Sequence, residues 1–171
     1  MAQLAALARP AVAGLRWTRA DQWHVTLRFL GAVDDVDAVG AALAGVARVT
    51  APVAALAGPA TGRFGRHVLH LPVDGLAGLA GGVIAATAGF GQPPEARAFA
   101  GHLTLARAKG RVNLRPFEGT RVGAGWVVDE LTLVESRLSG AGARYEVVGR
   151  FPLVGEGVGE GVGEGTGAAP N

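Results

Sequence analysis

The chain has 171 residues, enough for one domain with a hydrophobic core and too few for two large domains. It contains no cysteine, which excludes disulfides, thiolate metal ligands and cysteine nucleophiles. The net charge is only +2, but every Lys or Arg position except Lys109 is arginine, whose guanidinium binds phosphate through two hydrogen bonds. An anionic ligand is therefore compatible with the composition without being established by it.

Charged residues make up 18% of the chain and are spread along it, which is typical of a soluble protein. At the amino terminus, Arg9, Pro10 and Arg16 interrupt what would have to be the apolar part of a signal peptide. We therefore expect a cytoplasmic protein without a membrane segment. Residues 155–171 form a glycine-dominated acidic repeat that has nothing to pack, so we expect a domain over residues 1–154 and a disordered tail after it.

The first half of the chain predicts a strand, a helix and an extended segment. Residues 23–30 alternate apolar and polar side chains, which indicates a β-strand. Residues 36–46 carry apolar side chains at helical spacing after an acidic start, which indicates a helix. Residues 50–57 look extended, and the proline and glycines of residues 59–65 predict a loop.

The second half adds more strands than helices. The predicted elements are a strand at 67–73, a helix at 76–88, a loop at 89–94, a strand at 99–107, a short helix at 114–117, and strands at 125–136 and 145–153 with a turn at Gly140 and Gly142 between them. This order predicts a mixed α+β fold.

One short pattern occurs twice: His24-Val25-Thr26-Leu27 and His102-Leu103-Thr104-Leu105 both read His, apolar, Thr, apolar. Side chains two residues apart on a strand point to the same face. Each copy therefore presents an imidazole and a hydroxyl on one surface, while the intervening apolar residues, together with Phe29, are expected in the core.

Two such strands, related by an approximate two-fold axis, would set the two histidines across a cleft. One imidazole can then remove a proton from water while the other protonates a leaving oxygen, because histidine changes charge near neutral pH. Threonine hydroxyls can donate hydrogen bonds to the non-bridging oxygens of a phosphodiester. This chemistry calls for no metal and no cofactor.

The same residues resemble the 2H phosphoesterases, and within them the RNA 2',3'-cyclic phosphodiesterases that are also called 2'-5' RNA ligases. HVTLRFLG at residues 24–31 and HLTLARAK at residues 102–109 resemble the two family motifs. Residues 130–153 resemble the closing family pattern, and the resemblance extends from about residue 15 to residue 153. The positions that match the closing pattern are Leu131, Leu133, Ser136, Leu138, Gly142, Tyr145, Phe151 and Leu153.

The resemblance implies a two-lobed, pseudo-symmetric α+β fold, with an antiparallel sheet in each lobe, outer helices and a central cleft. It implies His24 as proton donor and His102 as proton acceptor in opening a 2',3'-cyclic phosphate to a 2'-phosphomonoester. Thr26 and Thr104 carry over as phosphate ligands. Arg107 matches the arginine that follows the second motif, although strand alternation puts it opposite His102 unless the strand ends or bulges there.

Several other residues are candidates for substrate binding. Arg28 shares the strand parity of His24 and either contacts phosphate or is simply an exposed strand-end arginine. Phe64 and Arg66, at the entry to a predicted strand, can contact a base and a phosphate, with core packing as the alternative for Phe64. The remaining aromatic and imidazole side chains are interpreted as structural: Trp23, Trp126 and Tyr145 as core or rim residues, and His67 and His70 as plain strand residues on opposite faces.

The lead-in to the first motif departs from the family pattern. Only 23 residues precede His24, and none of them predicts the strand with which family members usually begin. Either the first lobe lacks a strand or the true start lies upstream, and an unpaired sheet edge would favour self-association.

The expected ligand is an RNA or nucleotide that carries a 2',3'-cyclic phosphate, bound by a monomer with no obligatory protein partner. Three alternatives remain open at this stage. They are a 2H enzyme for 2'-5' linked or other cyclic nucleotides, a module that binds RNA ends without cleaving them, and a damaged or misassigned reading frame.

Overall fold

The computed structural model describes residue 4, residues 6–139 and residues 142–156. The expected tail from residue 157 onward and Gly140 of the expected turn lie outside the described residues. The strands are β1 Leu15–Trp17, β2 Val53–Ala57, β3 Gly62–Phe64, β4 Val68–Asp74, β5 His102–Ala108, β6 Ala124–Val128, β7 Glu130–Ser139 and β8 Gly142–Pro152. The helices are α1 Val36–Val49 and α2 Ala77–Ala86, with 3-10 turns at Ala20–Gln22 and Arg115–Phe117.

The strands form two antiparallel sheets of unequal size. Six of them make one sheet in the order β1-β5-β4-β2-β6, in which β3 pairs with the first part of β4 and β2 with its end. Strands β7 and β8 form a separate two-stranded sheet. The predicted α+β fold with two antiparallel sheets is therefore confirmed.

Helix α1 begins where Asp35 caps it, because the Asp35 carboxylate accepts a hydrogen bond from the Ala38 amide at 2.8 Å. Its buried residues, Val39, Leu43 and Ala47, are four positions apart and form one apolar stripe. The predicted helix at 36–46 is thus confirmed, and it continues by three residues to Val49.

The core lies between the six-stranded sheet and the helices. Leu69 and Leu71 of β4 are 1% and 0% exposed, and Leu103 and Leu105 of β5 are 4% and 2% exposed. They alternate with side chains that face the opposite side of the sheet, as a half-buried strand requires. This alternation anchors the second His-x-Thr copy by its apolar residues and turns its polar residues away from the core.

The strand predicted at residues 23–30 does not form, since Val25 alone makes a ladder contact, an isolated bridge to Leu103. Further along, the segment binds the loop after α2 instead of a strand. The Leu30 carbonyl accepts a hydrogen bond from the Gln92 amide at 2.7 Å, and the Arg28 guanidinium donates to the Phe90 and Gln92 carbonyls at 3.1 and 2.8 Å. The approach is so close that a Cβ on Gly91 would clash with the Leu30 carbonyl oxygen.

Four other expectations need correction. Phe29 was expected in the core but is 67% exposed, because the strand alternation that would bury it is absent. Strand β3 lies inside the predicted loop at 59–65, and the predicted strand at 125–136 is two strands that separate at Asp129. The lead-in does contain a strand: β1 precedes the first motif and pairs with β5.

Within the described part of the chain, neither α1 nor α2 has the length and hydrophobicity of a membrane-spanning segment.

Candidate active site

The two His-x-Thr copies meet on one edge of β5. Strand β1 pairs with residues 106–108 of β5, the chain then loops outward, and Val25 returns to the same edge opposite Leu103. If this antiparallel register continued by one residue on each side, His24 would lie opposite Thr104 and Thr26 opposite His102. In a regular pair, the diagonal neighbours His24 and His102 would be roughly 7–8 Å apart, a gap that a phosphate can occupy.

Both motif histidines make the same hydrogen bond to the backbone. His24 Nδ1 lies 2.8 Å from the Gln22 carbonyl oxygen, and His102 Nδ1 lies 3.0 Å from the Ala100 carbonyl oxygen. A carbonyl oxygen can only accept, so Nδ1 must carry the hydrogen in both rings. Each Nε2 is therefore available to take up or release a proton. In both copies the carbonyl partner belongs to the residue two positions before the histidine.

The surroundings of the two histidines differ. His24 is exposed, and the Tyr145 ring of β8 contacts it edge-on with ring centroids 5.0 Å apart. His102 is half-buried, and the edge-on ring of Phe64 is 4.8 Å from it. Phe64, one of the predicted substrate contacts, is 45% exposed and thus lies beside the second motif with part of its ring open to solvent.

His70 is a neighbour of the site that sequence reasoning treated as a plain strand residue. It pairs with Thr104 in the β4–β5 register, and its ring centroid is 5.8 Å from that of His102. Burial lowers the pKa of His70, and the nearby His102 lowers it further, whereas Glu118 acts in the opposite direction. The signal available in the sequence was strand parity, but parity alone does not say which strands are neighbours.

A bulge in β5 brings Arg107 to the face of the motif residues. Leu69 pairs with Ala106 and His70 with Thr104, so Leu105 is an extra residue in β5. Leu105 and Ala106 are consequently both buried, while Arg107 is exposed. A bulge before Arg107 is what strand alternation requires for Arg107 to share a face with His102.

The other two predicted arginines are oriented differently. The Arg28 guanidinium donates hydrogen bonds to the Ile84 carbonyl of α2 and to the Phe90 and Gln92 carbonyls of the loop after it. Arg66 is exposed and donates a hydrogen bond to His67 Nε2 at 3.3 Å. The structure therefore brings the first motif to β5 through the Val25–Leu103 bridge and sets Phe64 beside the second motif. Arg107 is exposed farther along β5, and Arg28 binds the loop after α2.

Among the residues that the structure describes, no cluster of three or more histidine or carboxylate side chains is arranged to hold a metal ion. Trp23 and Trp126 pack against the hydrophobic core, in keeping with their structural interpretation.

Comparison with known proteins finds similarity to one family and a shared fold. A family model described as LigT like phosphoesterase matches residues 1–58, which include the first motif. The solved structure of TT0787 from Thermus thermophilus superimposes with a TM-score of 0.74 at 28% identity, covering 84% of this chain and 85% of that one. The chain is therefore similar to the LigT-like phosphoesterases in sequence over residues 1–58 and in fold over most of its length.

The chain is also similar to E. coli LigT, whose structure was solved in complex with 3'-AMP. That match has a TM-score of 0.60 at 28% identity and covers 82% of each chain. A further structure of E. coli LigT, complexed with NADP+, matches with a TM-score of 0.58 at 25% identity over 82% of this chain and 81% of that one. No curated protein sequence matches the chain.

Proposed function

We propose that this protein opens a 2',3'-cyclic phosphate at the end of an RNA and leaves a 2'-phosphomonoester. The observation that carries the proposal is the Val25–Leu103 bridge, together with the matching Nδ1 hydrogen bonds of His24 and His102. Two imidazoles on one face, each with Nε2 left for proton transfer, are what a reaction with one proton donor and one proton acceptor requires.

In the proposed reaction, His102 Nε2 removes a proton from a water molecule as that water attacks phosphorus. The bond between phosphorus and the 3' oxygen breaks, and His24 Nε2 delivers a proton to that oxygen to give a free 3' hydroxyl. The enzyme is left with a neutral His24 and a protonated His102, and proton exchange with solvent restores the starting state. The resemblance to the 2H family assigns the two roles in this order.

The remaining residues of the proposed site bind the substrate. Thr26 and Thr104 donate hydrogen bonds to the non-bridging oxygens, where negative charge persists throughout the displacement. Arg107 supplies a positive charge on the same face, and the open part of the Phe64 ring offers a stacking surface for the terminal base. The complex of the similar E. coli LigT with 3'-AMP supports a nucleotide as the ligand class.

The test is incubation of purified protein with adenosine 2',3'-cyclic phosphate in the presence of EDTA, followed by separation of 2'-AMP from 3'-AMP. We expect 2'-AMP from the wild type and no product from His102→Ala. Production of 3'-AMP would contradict the assigned leaving oxygen, and activity that EDTA removes and zinc restores would contradict the two-histidine mechanism.

The same preparation separates the proposal from its alternatives. If wild type and a His24→Ala, His102→Ala double variant bind a cyclic-phosphate RNA equally and neither cleaves it, the chain is an RNA-end binding module. Turnover of a 2'-5' linked dinucleotide in preference to the cyclic phosphate would instead reassign the substrate and keep the mechanism.

A further inference from the structure

A third imidazole lies in the wall of the candidate site, behind His102. The His70 ring stacks on Phe64, with centroids 3.9 Å apart and planes 5° from parallel, and both rings meet His102 edge-on. We propose that His70 is a positioning residue: its ring, backed by Phe64, holds the His102 imidazole with Nε2 toward the cleft. The inference rests on the proposed function, because it gives His70 a role through His102.

Three strands fix the His70 ring in place. His70 lies on β4, opposite Thr104 of β5 on one side and Gly62 of β3 on the other. A Cβ on Gly62 would lie 3.0 Å from His70 Cε1 and 3.1 Å from Nε2, so the absence of a side chain there leaves room for the ring. His70 is 8% exposed, so the surrounding side chains restrict the movement of its ring.

The His70 ring is suited to remain uncharged beside a group that gains a proton. Its buried Nδ1 has no hydrogen-bond partner within the described part of the chain, so a proton there would have no acceptor. Burial and the nearby His102 both lower the pKa of His70. Glu118 opposes this shift, but its carboxylate is paired with Arg63 at 2.6 Å.

His70 and Phe64 limit how far the His102 ring can rotate. His102 has one hydrogen bond to the backbone, which leaves rotation about its side-chain bonds to be limited by packing. Phe64 and His70 supply that packing as two perpendicular neighbours. Without a flat ring at position 70, the His102 imidazole gains space to tilt, and small misplacements of a reacting group carry large penalties in rate.

The experiment compares His70→Phe, which keeps a flat ring, with His70→Leu, which is equally apolar but not planar. His67→Ala is the matched control, since His67 is an exposed histidine near the start of the same strand. The readouts are kcat and KM for adenosine 2',3'-cyclic phosphate, and the 15N shifts of His102, which report its tautomer and are tractable because the chain has only 4 histidines.

We expect His70→Leu to lower kcat by about 10- to 100-fold with KM nearly unchanged, the signature of a misplaced reacting group. The His102 ring in this variant should populate both tautomers. His70→Phe should keep kcat within about threefold of wild type and restore the Nδ1-protonated tautomer. His67→Ala should match the wild type in both readouts.

Two results would overturn the inference. One is wild-type kcat in a folded His70→Leu variant; the other is equal loss of kcat in both variants with the His102 tautomer unchanged, which would make the His70 imidazole itself a reactant. If the wild type fails to turn over the cyclic phosphate, the proposed function fails, whereas the 15N comparison of His102 still decides whether His70 positions that ring.

Discussion

Val25 pairs with Leu103 across an antiparallel bridge, and this contact joins two His-x-Thr copies that lie far apart in the sequence. The bridge partners face the core, so the residues on either side of them face away from it. Two similar surfaces are thereby brought to the same edge of β5. The matching hydrogen bonds to residues 22 and 100 preserve this symmetry down to the imidazole nitrogens.

Replacement of either motif histidine by asparagine should abolish hydrolysis while leaving the fold intact. An asparagine amide can still donate to the Gln22 or Ala100 carbonyl as Nδ1 does, but it has no group in place of Nε2. We expect His24→Asn and His102→Asn each to lower kcat by about 10²- to 10⁴-fold, the usual contribution of general acid–base catalysis. Circular dichroism and the thermal midpoint should remain those of the wild type, and retained turnover in either variant would exclude that histidine as a proton carrier.

The two threonines should act through their hydroxyls and not through their shape. Thr26→Val and Thr104→Val keep the branched side chain and remove the donor, and we expect about 10²-fold lower kcat, comparable to the loss of one oxyanion donor. Thr26→Ser and Thr104→Ser provide the matched controls and should retain most activity. Steady-state kinetics on the cyclic phosphate distinguishes these outcomes, and equal effects of valine and serine would argue for a packing role.

Substitution of Arg28 should lower stability, whereas substitution of Arg107 should weaken substrate binding. In Arg28→Ala the Phe90 and Gln92 carbonyls lose a charged donor, and we expect the free energy of unfolding in urea to fall by about 1.5–3 kcal/mol. Arg107→Ala, at an exposed position, should change it by less than about 0.5 kcal/mol but raise KM for an oligonucleotide substrate. The assignment is reversed if Arg28→Ala weakens binding at unchanged stability.

The free energy of unfolding should decrease in mild acid because of His70. The folded state lowers the pKa of His70 below its ordinary value of 6.5. Between the two pKa values, His70 therefore binds a proton in the unfolded chain but not in the folded chain. The contribution of His70 is therefore fully present above about pH 6.5 and is lost as the pH falls from there through the lowered pKa. The difference between the urea midpoints measured at about pH 7.5 and about pH 5 should be smaller in His70→Phe than in the wild type. The same difference in both proteins would rule out this contribution of His70.

The sequence was sufficient where local chemistry decides the structure. The Asp35 cap and the apolar stripe of Val39, Leu43 and Ala47 specify α1 without help from the rest of the chain. The alternation of β5 likewise turns His102 and Thr104 away from the core and buries Leu103. These features depend on spacing along the chain, which a sequence states directly.

The sequence was insufficient where the structure depends on which distant segments pair with one another. Residues 23–30 alternate as a strand should, but their partners are one residue of β5 and the loop after α2, so the ladder does not extend. His70 looked like an ordinary strand residue because its significance comes from lying beside Thr104 on a neighbouring strand. Pairing between strands is a tertiary choice, and parity within one strand does not encode it.

The extra residue at Leu105 lets an odd spacing behave as an even one, because His102 and Arg107 share a face although they are five positions apart. Deleting Leu105 would make Thr104 and Ala106 consecutive and restore strict alternation, so Arg107 would keep its outward direction while the interior lost a buried leucine. If the ladder were instead straightened with every residue retained, the guanidinium would be driven into the apolar layer. The outward direction of Arg107 would thus survive deletion of Leu105 but not removal of the bulge.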